Sequence, residues 1–475
     1  MELEERSRSC RVNGIVLSDS QLQVANPILD WIETGVDYEP RVIAGAAGSG
    51  KTTVTQYIVK EARIGGKVLT APTHKAVRVI SQGIAITTNT IQKLLGLRPN
   101  VDVENFDFNN PAFAMQGKLM IPDFKLIIVD EASMVNNSLY KVLRDLCIEY
   151  EVRLLFVGDK LQLLPVNEKL SAVFRSPFVY NLDVIMRQGI NNPLKQMLAI
   201  ARQDVQSKGN RLISYIYRSK DSIVDDVGFR LYSRKDREQE FVNTILTDYN
   251  QADSIDDLRM CGHTNINTLG WNEYIRNGLI KHNGILLTED DVVTGYSTIV
   301  NEFNEAYITN SEDYYVSEIG QTVNPNGLKG YIVKLKSAYD FKETPYIFIL
   351  DHNDPANVAM FLNQMKSIID DIHSLPKQRQ GTAWKQKYYK DFKDKIILMK
   401  SFYDNYGNII IKKDLDYAYT LTIHKTQGST YKNIYVNVLD ILYDKNNLPV
   451  KDRDTRNRLL YVALSRASDQ AHLLI

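Results

Sequence analysis

The chain has 475 residues, more than one ordinary domain of about 100–200 residues holds, which points to about three. Its 44% hydrophobic and 24% charged residues read as globular, and no apolar run approaches the roughly 20 residues needed to cross a bilayer. Lys+Arg and Asp+Glu both number 57, which argues against a protein that coats duplex DNA through its overall charge but leaves room for a local groove tracking one strand.

The opening residues MELEERSRSC mix acidic and basic side chains without an apolar core, so no secretory signal is expected there. Cys10, Cys147 and Cys261 lie far apart and form no CxxC pair. That argues for a reducing compartment and against a disulfide framework or a zinc site.

The first third alternates short apolar runs with helical stretches. Val42-Ile43, Val68-Leu69, Leu126–Val129 and residues 154–157 each end in a polar loop, the pattern of buried parallel strands in an α/β sheet. Ligands of such sheets sit at the carboxyl ends of the strands. After the first of these strands comes Gly45-Ala46-Ala47-Gly48-Ser49-Gly50-Lys51-Thr52, a full G-x-x-x-x-G-K-[ST] loop that opens a helix running to Gly65-Gly66. Glycines let backbone N–H groups turn inward around phosphate oxygens, and the helix N-terminus adds positive potential. Lys51 is expected to reach the β- and γ-phosphates of ATP, and the Thr52 hydroxyl to hold Mg²⁺.

Between about 97 and 122 the pattern breaks into a stretch rich in Asn, Asp and Pro that carries Phe106, Phe108 and Phe113. It reads as a small insertion in hairpin form. Asp130-Glu131 then ends a buried strand. Asp130 is suited to the Mg²⁺ water shell, and Glu131 to polarising an attacking water. Gly158-Asp159-Lys160-Leu161-Gln162 closes the next strand and places Gln162 to sense the γ-phosphate or position water.

From about 180 to 285, helical segments surround one more buried strand, 258–261. Short alternating strands follow (331–335, 346–350). The run 377–400 then interleaves Trp384, Tyr388, Tyr389 and Phe392 with eight Lys/Arg and two Asp. Basic residues among aromatics suit a single-strand path, although a solvated helical face is the commoner meaning of such a run. After 415 the α/β style returns with a strand at 434–438, a helix near 455–467 and a last strand at 471–475. No internal repeat or low-complexity tract is evident.

In this order the motifs resemble superfamily 1B helicases of the RecD-like group. The resemblance rests on Leu17-Ser18-Asp19-Ser20-Gln21, Ala71-Pro72-Thr73-His74-Lys75-Ala76, Asp130-Glu131-Ala132-Ser133-Met134, residues 158–166, residues 182–188, Thr264-Asn265 with Asn272 and Arg276, Thr422-Ile423-His424-Lys425-Thr426-Gln427-Gly428, and residues 460–467. Where the family often has a histidine after Thr-Ile, this chain has Thr90-Ile91-Gln92. No nuclease motif is evident, which favours a stand-alone motor.

The resemblance implies two RecA-like parallel-sheet motor domains. The first spans 1–180 with a hairpin insertion at about 97–122; the second comprises 181–289 and 415–475 and carries an SH3-like β insertion at 290–414. It implies adenine reading by Gln21, nucleotide contacts that extend to Thr53 and Gly428, and arginine fingers at Arg187 and Arg466. It places strand contacts at Thr73, His74, Thr90, Thr264, Asn265, Thr422, His424 and Lys425. Phe106 and Phe108 serve either as a base-stacking wedge at the fork or as a small local core. The segment 377–400, in the same resemblance, braces the wedge.

The expectation is therefore an ATP- and Mg²⁺-dependent DNA helicase with 5′→3′ polarity, the direction coming from the resemblance alone. Its partners would be single-stranded and forked DNA, with single-strand-binding or replication proteins in replication, recombination or repair. It would work as a monomer, without a membrane, in the cytoplasm of a bacterium or phage-infected host. The alternatives are a strand translocase that displaces proteins with little unwinding, and a nucleotide-dependent switch.

Overall fold

The computed structural model describes residues 10–72, 86–97, 117–165, 168, 171–182, 192–280, 284–289, 291–301, 306–404 and 406–475. It divides into two compact units, Met1–Gly270 with Thr420–Ile475, and Trp271–Tyr419. Both α/β sheets fall in the first unit. Most of the insertion read at 97–122 lies outside the described residues.

The first sheet has six strands in the order Thr87–Thr90, Lys67–Ala71, Leu126–Val129, Arg153–Gly158, Arg41–Gly45, Val179–Leu182, and every pairing is parallel. Successive residues of a strand point to opposite faces. Ile43, Leu69, Ile128 and Leu155 therefore meet the helices Asp19–Thr34 and Lys51–Glu61 on one face. Val42, Val68, Ile127 and Phe156 meet Asn137–Glu149 on the other. Two covered faces explain why these strands read as unbroken apolar runs.

One strand, Arg153–Gly158, stands between the strand that feeds the phosphate loop and the strand that ends at Asp130. Two strand spacings, about 9–10 Å, thus separate the loop from the acidic pair, enough for a terminal phosphate and a water between them.

The second sheet also has six strands, in the order Thr420–Thr422, Leu258–Gly262, Tyr431–Asn437, Ala467–Leu474, Val227–Tyr232, Ser222–Val224. All neighbours are parallel except the edge strand Ser222–Val224. The helices Leu194–Ser207 and Arg453–Leu464 pack against it in a core that includes Leu198, Phe229, Val436, Leu460 and Leu473. The strand Val227–Tyr232, inside a region read as helical, is a departure from the sequence reading. Gly228 and the half-buried Arg230 interrupt its apolar run.

The second unit is built on a five-stranded antiparallel sheet in the order Ile347–Leu350, Lys329–Ser337, Asp313–Val323, Val292–Gly295, Leu415–Tyr417. The unit, Trp271–Tyr419, contains the 290–414 read from the sequence. The basic, aromatic run also differs from a free strand path. Tyr388 and Phe392 are buried in one core with Phe361 and Phe402, and Trp384 packs against it. Trp384, Tyr388 and Phe392 recur every four residues and form the inner face of a helical segment that widens into a π turn over Trp384–Lys390. Only Tyr389 of the four is exposed.

Arg276 holds this unit rather than a ligand. Its Nε and Nη2 donate to Asp291 Oδ1 and Oδ2 at 2.8 and 2.7 Å, with both side chains buried. Thr288 N and the Tyr419 hydroxyl also donate to that carboxylate. Breaking one half of a buried pair strands the other charge. Asp291→Ala should therefore destabilise the chain by about 3–5 kcal/mol in denaturant unfolding, whereas a surface carboxylate such as Asp340 should cost under about 1 kcal/mol.

Candidate functional site

The phosphate loop leaves the strand Arg41–Gly45 and enters the helix Lys51–Glu61. Gly48 and Gly50 have φ of +78° and +84°, the left-handed region that turns successive N–H groups to one side. A Cβ on Gly50 would stand 2.2 Å from Gln21 Nε2. Gln21 is fixed from its other end, where Oε1 accepts Ser18 N at 3.0 Å in a capping box that starts the helix Asp19–Thr34. The residue expected to read adenine is thus locked against the loop by a helix cap.

The loop's donors are engaged by the protein itself. Lys51 Nζ donates to Gly45 O at 3.0 Å and Ala46 O at 2.9 Å. Ala47 N donates to Asp159 Oδ2 at 3.1 Å and to the Tyr461 hydroxyl at 3.2 Å. Ser49 Oγ is buried with no hydrogen-bond partner among the described residues. Inward amides, a lysine resting on carbonyls and an orphaned hydroxyl fit a triphosphate that would supply the missing acceptors.

Asp130 and Glu131 follow the strand Leu126–Val129. Burial, and next the Glu131 carboxylate, push Asp130 up to about 7. Two carboxylates crowded in this way fit a divalent cation, which would relieve both effects. Thr52, in the first turn of the loop's helix, is the hydroxyl expected to share it. Glu131 has φ +51° and ψ 44°, a left-handed conformation that costs a non-glycine residue about 1–3 kcal/mol. Strain at this position is common where a side chain must be aimed rather than relaxed.

Gln162 is buried, and its Oε1 accepts Gln427 Nε2 at 3.4 Å, joining loops of the two α/β sheets. Arg466 is buried too. Its guanidinium donates to Val462 O (3.1 Å), Ser429 O (3.2 Å), Thr426 O (3.5 Å) and Ser465 Oγ (2.9 Å). All these partners belong to its own sheet, so in this conformation it braces the segment Thr426–Ser429, with Gly428 (φ +74°) between, rather than the phosphate loop. Thr53 is half-buried one residue beyond Thr52. Thr73, His74, Phe106, Phe108 and Arg187 lie outside the described residues.

The remaining strand-contact candidates sit at the carboxyl ends of their strands. Thr90 ends Thr87–Thr90, and its hydroxyl accepts Lys93 N as the cap of a short helix. Thr422 ends Thr420–Thr422 and caps the turn that carries His424 and Lys425. On the neighbouring strand, Thr264 and the exposed Asn265 follow Gly262. The rings of His263 and His424 stack across these ends at 6.3 Å. Burial lowers both imidazoles; His263 beside it lowers His424 further, to about 4, while the Asp440 carboxylate partly offsets the effect at His263. They are neutral at pH 7 and offer hydrogen bonds, not charge, to a phosphate.

Three residues that matter here went unassigned in the sequence. Asp440 is buried and accepts His263 N (2.6 Å), Thr264 N (2.9 Å), Thr264 Oγ1 (2.9 Å) and Asn267 Nδ2, fixing the loop that carries Thr264 and Asn265. Tyr461 donates to Asp159 Oδ2 at 2.6 Å. Arg458 Nη1 donates to Lys160 O at 2.9 Å and Gln162 O at 2.7 Å. Tyr461 and Arg458 lay inside or beside a quoted motif, but their partners are some 300 residues away.

Two parallel sheets of this kind in one chain, the first with a phosphate loop and the second sending a helix to it, define the tandem RecA-like class of P-loop proteins. Residues 20–218 match the family model of an AAA domain, and 417–474 that of a UvrD-like helicase C-terminal domain. The chain is 26% identical to the ATP-dependent DNA helicase dda of Enterobacteria phage T4 over 55% of its own length and 56% of that protein's. It is 33% identical to the ATP-dependent RecD2 DNA helicase of Deinococcus radiodurans over 33% of its length and 20% of that protein's. The Pif1 helicase of Candida albicans shares the fold with a TM-score of 0.50 at 17% identity, over 97% of this chain and 94% of that one. Together these matches support a resemblance to the superfamily 1B helicases.

Gly50→Ala should lower affinity for a fluorescent ATP analogue at least about tenfold, since a left-handed Ala costs about 1–2 kcal/mol and its methyl displaces Gln21. Unchanged affinity would remove the loop as the nucleotide site. A second expectation concerns pH. The unfolded imidazole of His424 binds a proton near 6.5 and the folded one only near 4, so stability is present above 6.5 and is lost as pH falls toward 4. Melting curves of His424→Asn should fall less steeply with pH across that window than those of the unaltered chain.

Proposed function

We propose that this protein is an ATP-dependent DNA helicase that walks 5′→3′ on single-stranded DNA and opens forked duplexes in replication, recombination or repair. The observation that carries this reading is the meeting of the two α/β sheets at the loop: Tyr461 and Arg458 of one hold Ala47, Asp159 and the Gln162 segment of the other. A nucleotide switch has no need of a second sheet that grips its phosphate loop, and a motor does. The architecture we assign is two motor domains, 1–180 and 181–289 with 415–475, with 290–414 inserted in the second. We assign it as a monomer.

In this reading, the loop amides and Lys51 bind the triphosphate, Gln21 orients the base, and Thr52 with Asp130 holds Mg²⁺, which would supply charge neutralisation at the phosphates. Glu131 accepts the proton of the attacking water. Gln162 orients that water, and Arg187 and Arg466 stabilise the charge that develops on the transferred group, a contribution of about 10³–10⁵ in rate for an arginine of this kind. For Arg466 this requires leaving the carbonyls of Thr426 and Ser429, so its arrival at the phosphate and the release of the Thr426–Ser429 segment, next to the Thr422–Lys425 turn, are one event. That turn and Thr264-Asn265 hold the strand on the second sheet, and Thr73, His74 and Thr90 on the first. Hydroxyls, amides and neutral imidazoles grip phosphates without reading sequence. Phe106 or Phe108 splits the fork.

Lys51→Ala should abolish ATPase with the melting temperature retained, and Arg466→Lys, which keeps charge but loses the planar fork, should bind ATP and turn over at least about 10³-fold more slowly. Single-stranded DNA should stimulate ATPase, and duplexes with a 5′ tail should be unwound in preference to those with a 3′ tail. Preference for the 3′ tail would reverse the polarity; translocation without unwinding would make the protein a remodeller; ATPase indifferent to DNA would make it a switch.

A further inference from the structure

The helix Arg453–Leu464 presents Arg458 and Tyr461, one turn apart, to the loop that follows the strand Arg153–Gly158. Both side chains and Asp159 are at least nine-tenths buried. Asp159 Oδ2 takes two donors, Tyr461 Oη at 2.6 Å and Ala47 N at 3.1 Å, and Oδ1 takes Leu161 N at 3.0 Å. Burial and the Asp159 charge keep the Tyr461 phenol protonated, so it donates to the carboxylate while accepting from Ala47. Arg458 is oriented by Asp454 at 3.0 Å and spends Nη1 on two carbonyls of the same loop.

The far end of this helix leads to the opposite face of the problem. Arg466 donates to Val462 O within the helix and to Thr426 O and Ser429 O beyond the turn that carries Thr422, His424 and Lys425. Gln427 of the same segment meets Gln162. One helix thus carries both sets of contacts: Tyr461 and Arg458 bond the Asp159 loop and the Ala47 amide, and Arg466, just past its end, bonds Thr426 and Ser429, which follow the strand-contact turn.

We propose that Tyr461 and Arg458 are positioning residues that couple occupancy of the phosphate loop to the strand affinity of the second sheet. The proposal rests on the motor reading above. A phosphate oxygen that claims the Ala47 amide takes a donor from Asp159 and the Tyr461 hydroxyl. The Asp159 loop shifts with that exchange, and Arg458 transmits the shift because it is bonded to that loop at two carbonyls. The helix then moves as a rigid element and takes the Thr422–Lys425 turn with it. Both sites bias one packed arrangement, which is what coupling between them requires.

The test is thermodynamic. Affinity of fluorescein-labelled oligo-dT is measured by anisotropy with and without a non-hydrolysable ATP analogue, and affinity of a fluorescent analogue with and without oligo-dT. In the unaltered chain the two ratios must be equal and depart from one, by about 5–150-fold for coupling of ordinary strength. Tyr461→Phe, which keeps the ring and removes the hydroxyl, and Arg458→Met, which keeps the stem and removes the donors, should each move both ratios toward one by about two- to twelvefold, the span of a lost hydrogen bond. A purely structural role would change the separate affinities or the melting temperature and leave the ratio as it was. An unaltered ratio in Tyr461→Phe overturns the proposal even if Arg458→Met fails to fold. A ratio of one in the unaltered chain, or no binding of oligo-dT, overturns the motor reading and this proposal with it.

Discussion

The backbone amide of Ala47 is the constraint on which the nucleotide end of this molecule turns. Gly48 and Gly50 have left-handed φ, a conformation that lets the N–H groups of such a loop turn to one side. A buried donor left without an acceptor costs about 1–3 kcal/mol, so each must be satisfied by something. Here Asp159 and Tyr461 satisfy Ala47, and the ammonium of Lys51 lies on the carbonyls of Gly45 and Ala46. Binding an anion is then an exchange of partners rather than the filling of a void. One of those partners, Tyr461, comes from the helix packed on the second sheet, so the two sheets meet at this amide.

How much of this was readable in the sequence follows from how local each interaction is. The phosphate loop is contiguous, and its chemistry is carried by residue types at fixed offsets, so it stood out at once. Strands covered on both faces, such as Leu126–Val129, announce themselves because every residue must be apolar. Thr87–Thr90 and Thr420–Thr422 are edge strands with polar sequences, and no apolar run marks them. The aromatic run near 384 was legible in principle. Its every-fourth-residue spacing is that of a buried helical face, but the lysines between suggested a binding strip, and both patterns follow from one amphipathic segment. Tyr461 with Asp159, or Asp440 with Thr264, could not be seen: the partners are 302 and 176 residues apart.

The chain's balanced charge takes on meaning beside the strand-end loops. The candidate grip on the second sheet consists of Thr264, Asn265, Thr422, a neutral His424 and the single cation Lys425. Affinity built from hydroxyls and uncharged imidazoles releases few counterions, so it depends less on salt than a lysine-lined channel would. A motor that must let go of each phosphate in turn is served by contacts that are individually modest. The acidic groups nearby, Asp159 and Asp440, are buried and committed to backbone donors, so they do not repel a strand from the surface as free carboxylates would.

Those two aspartates also reveal a likeness between the sheets that the motifs conceal. Asp159 follows the strand Arg153–Gly158 and bonds an amide of the loop after the neighbouring strand, Arg41–Gly45. Asp440 follows Tyr431–Asn437 and bonds amides of the loop after its neighbour, Leu258–Gly262. The same carboxylate device stands at the same place in each sheet, with opposite consequences. Ala47 sits in a glycine-hinged loop shared between two acceptors, and a phosphate can compete for it. His263 and Thr264 have no glycine beside them on the loop side, and Asp440 is saturated by two amides, a hydroxyl and the Asn267 amide. The amides of the second loop are therefore committed to Asp440, as is the Thr264 hydroxyl, and Asn265 is exposed beside them. One sheet shares a strand-end amide between two acceptors, where an anion can compete for it; the other commits its strand-end amides to a single saturated carboxylate.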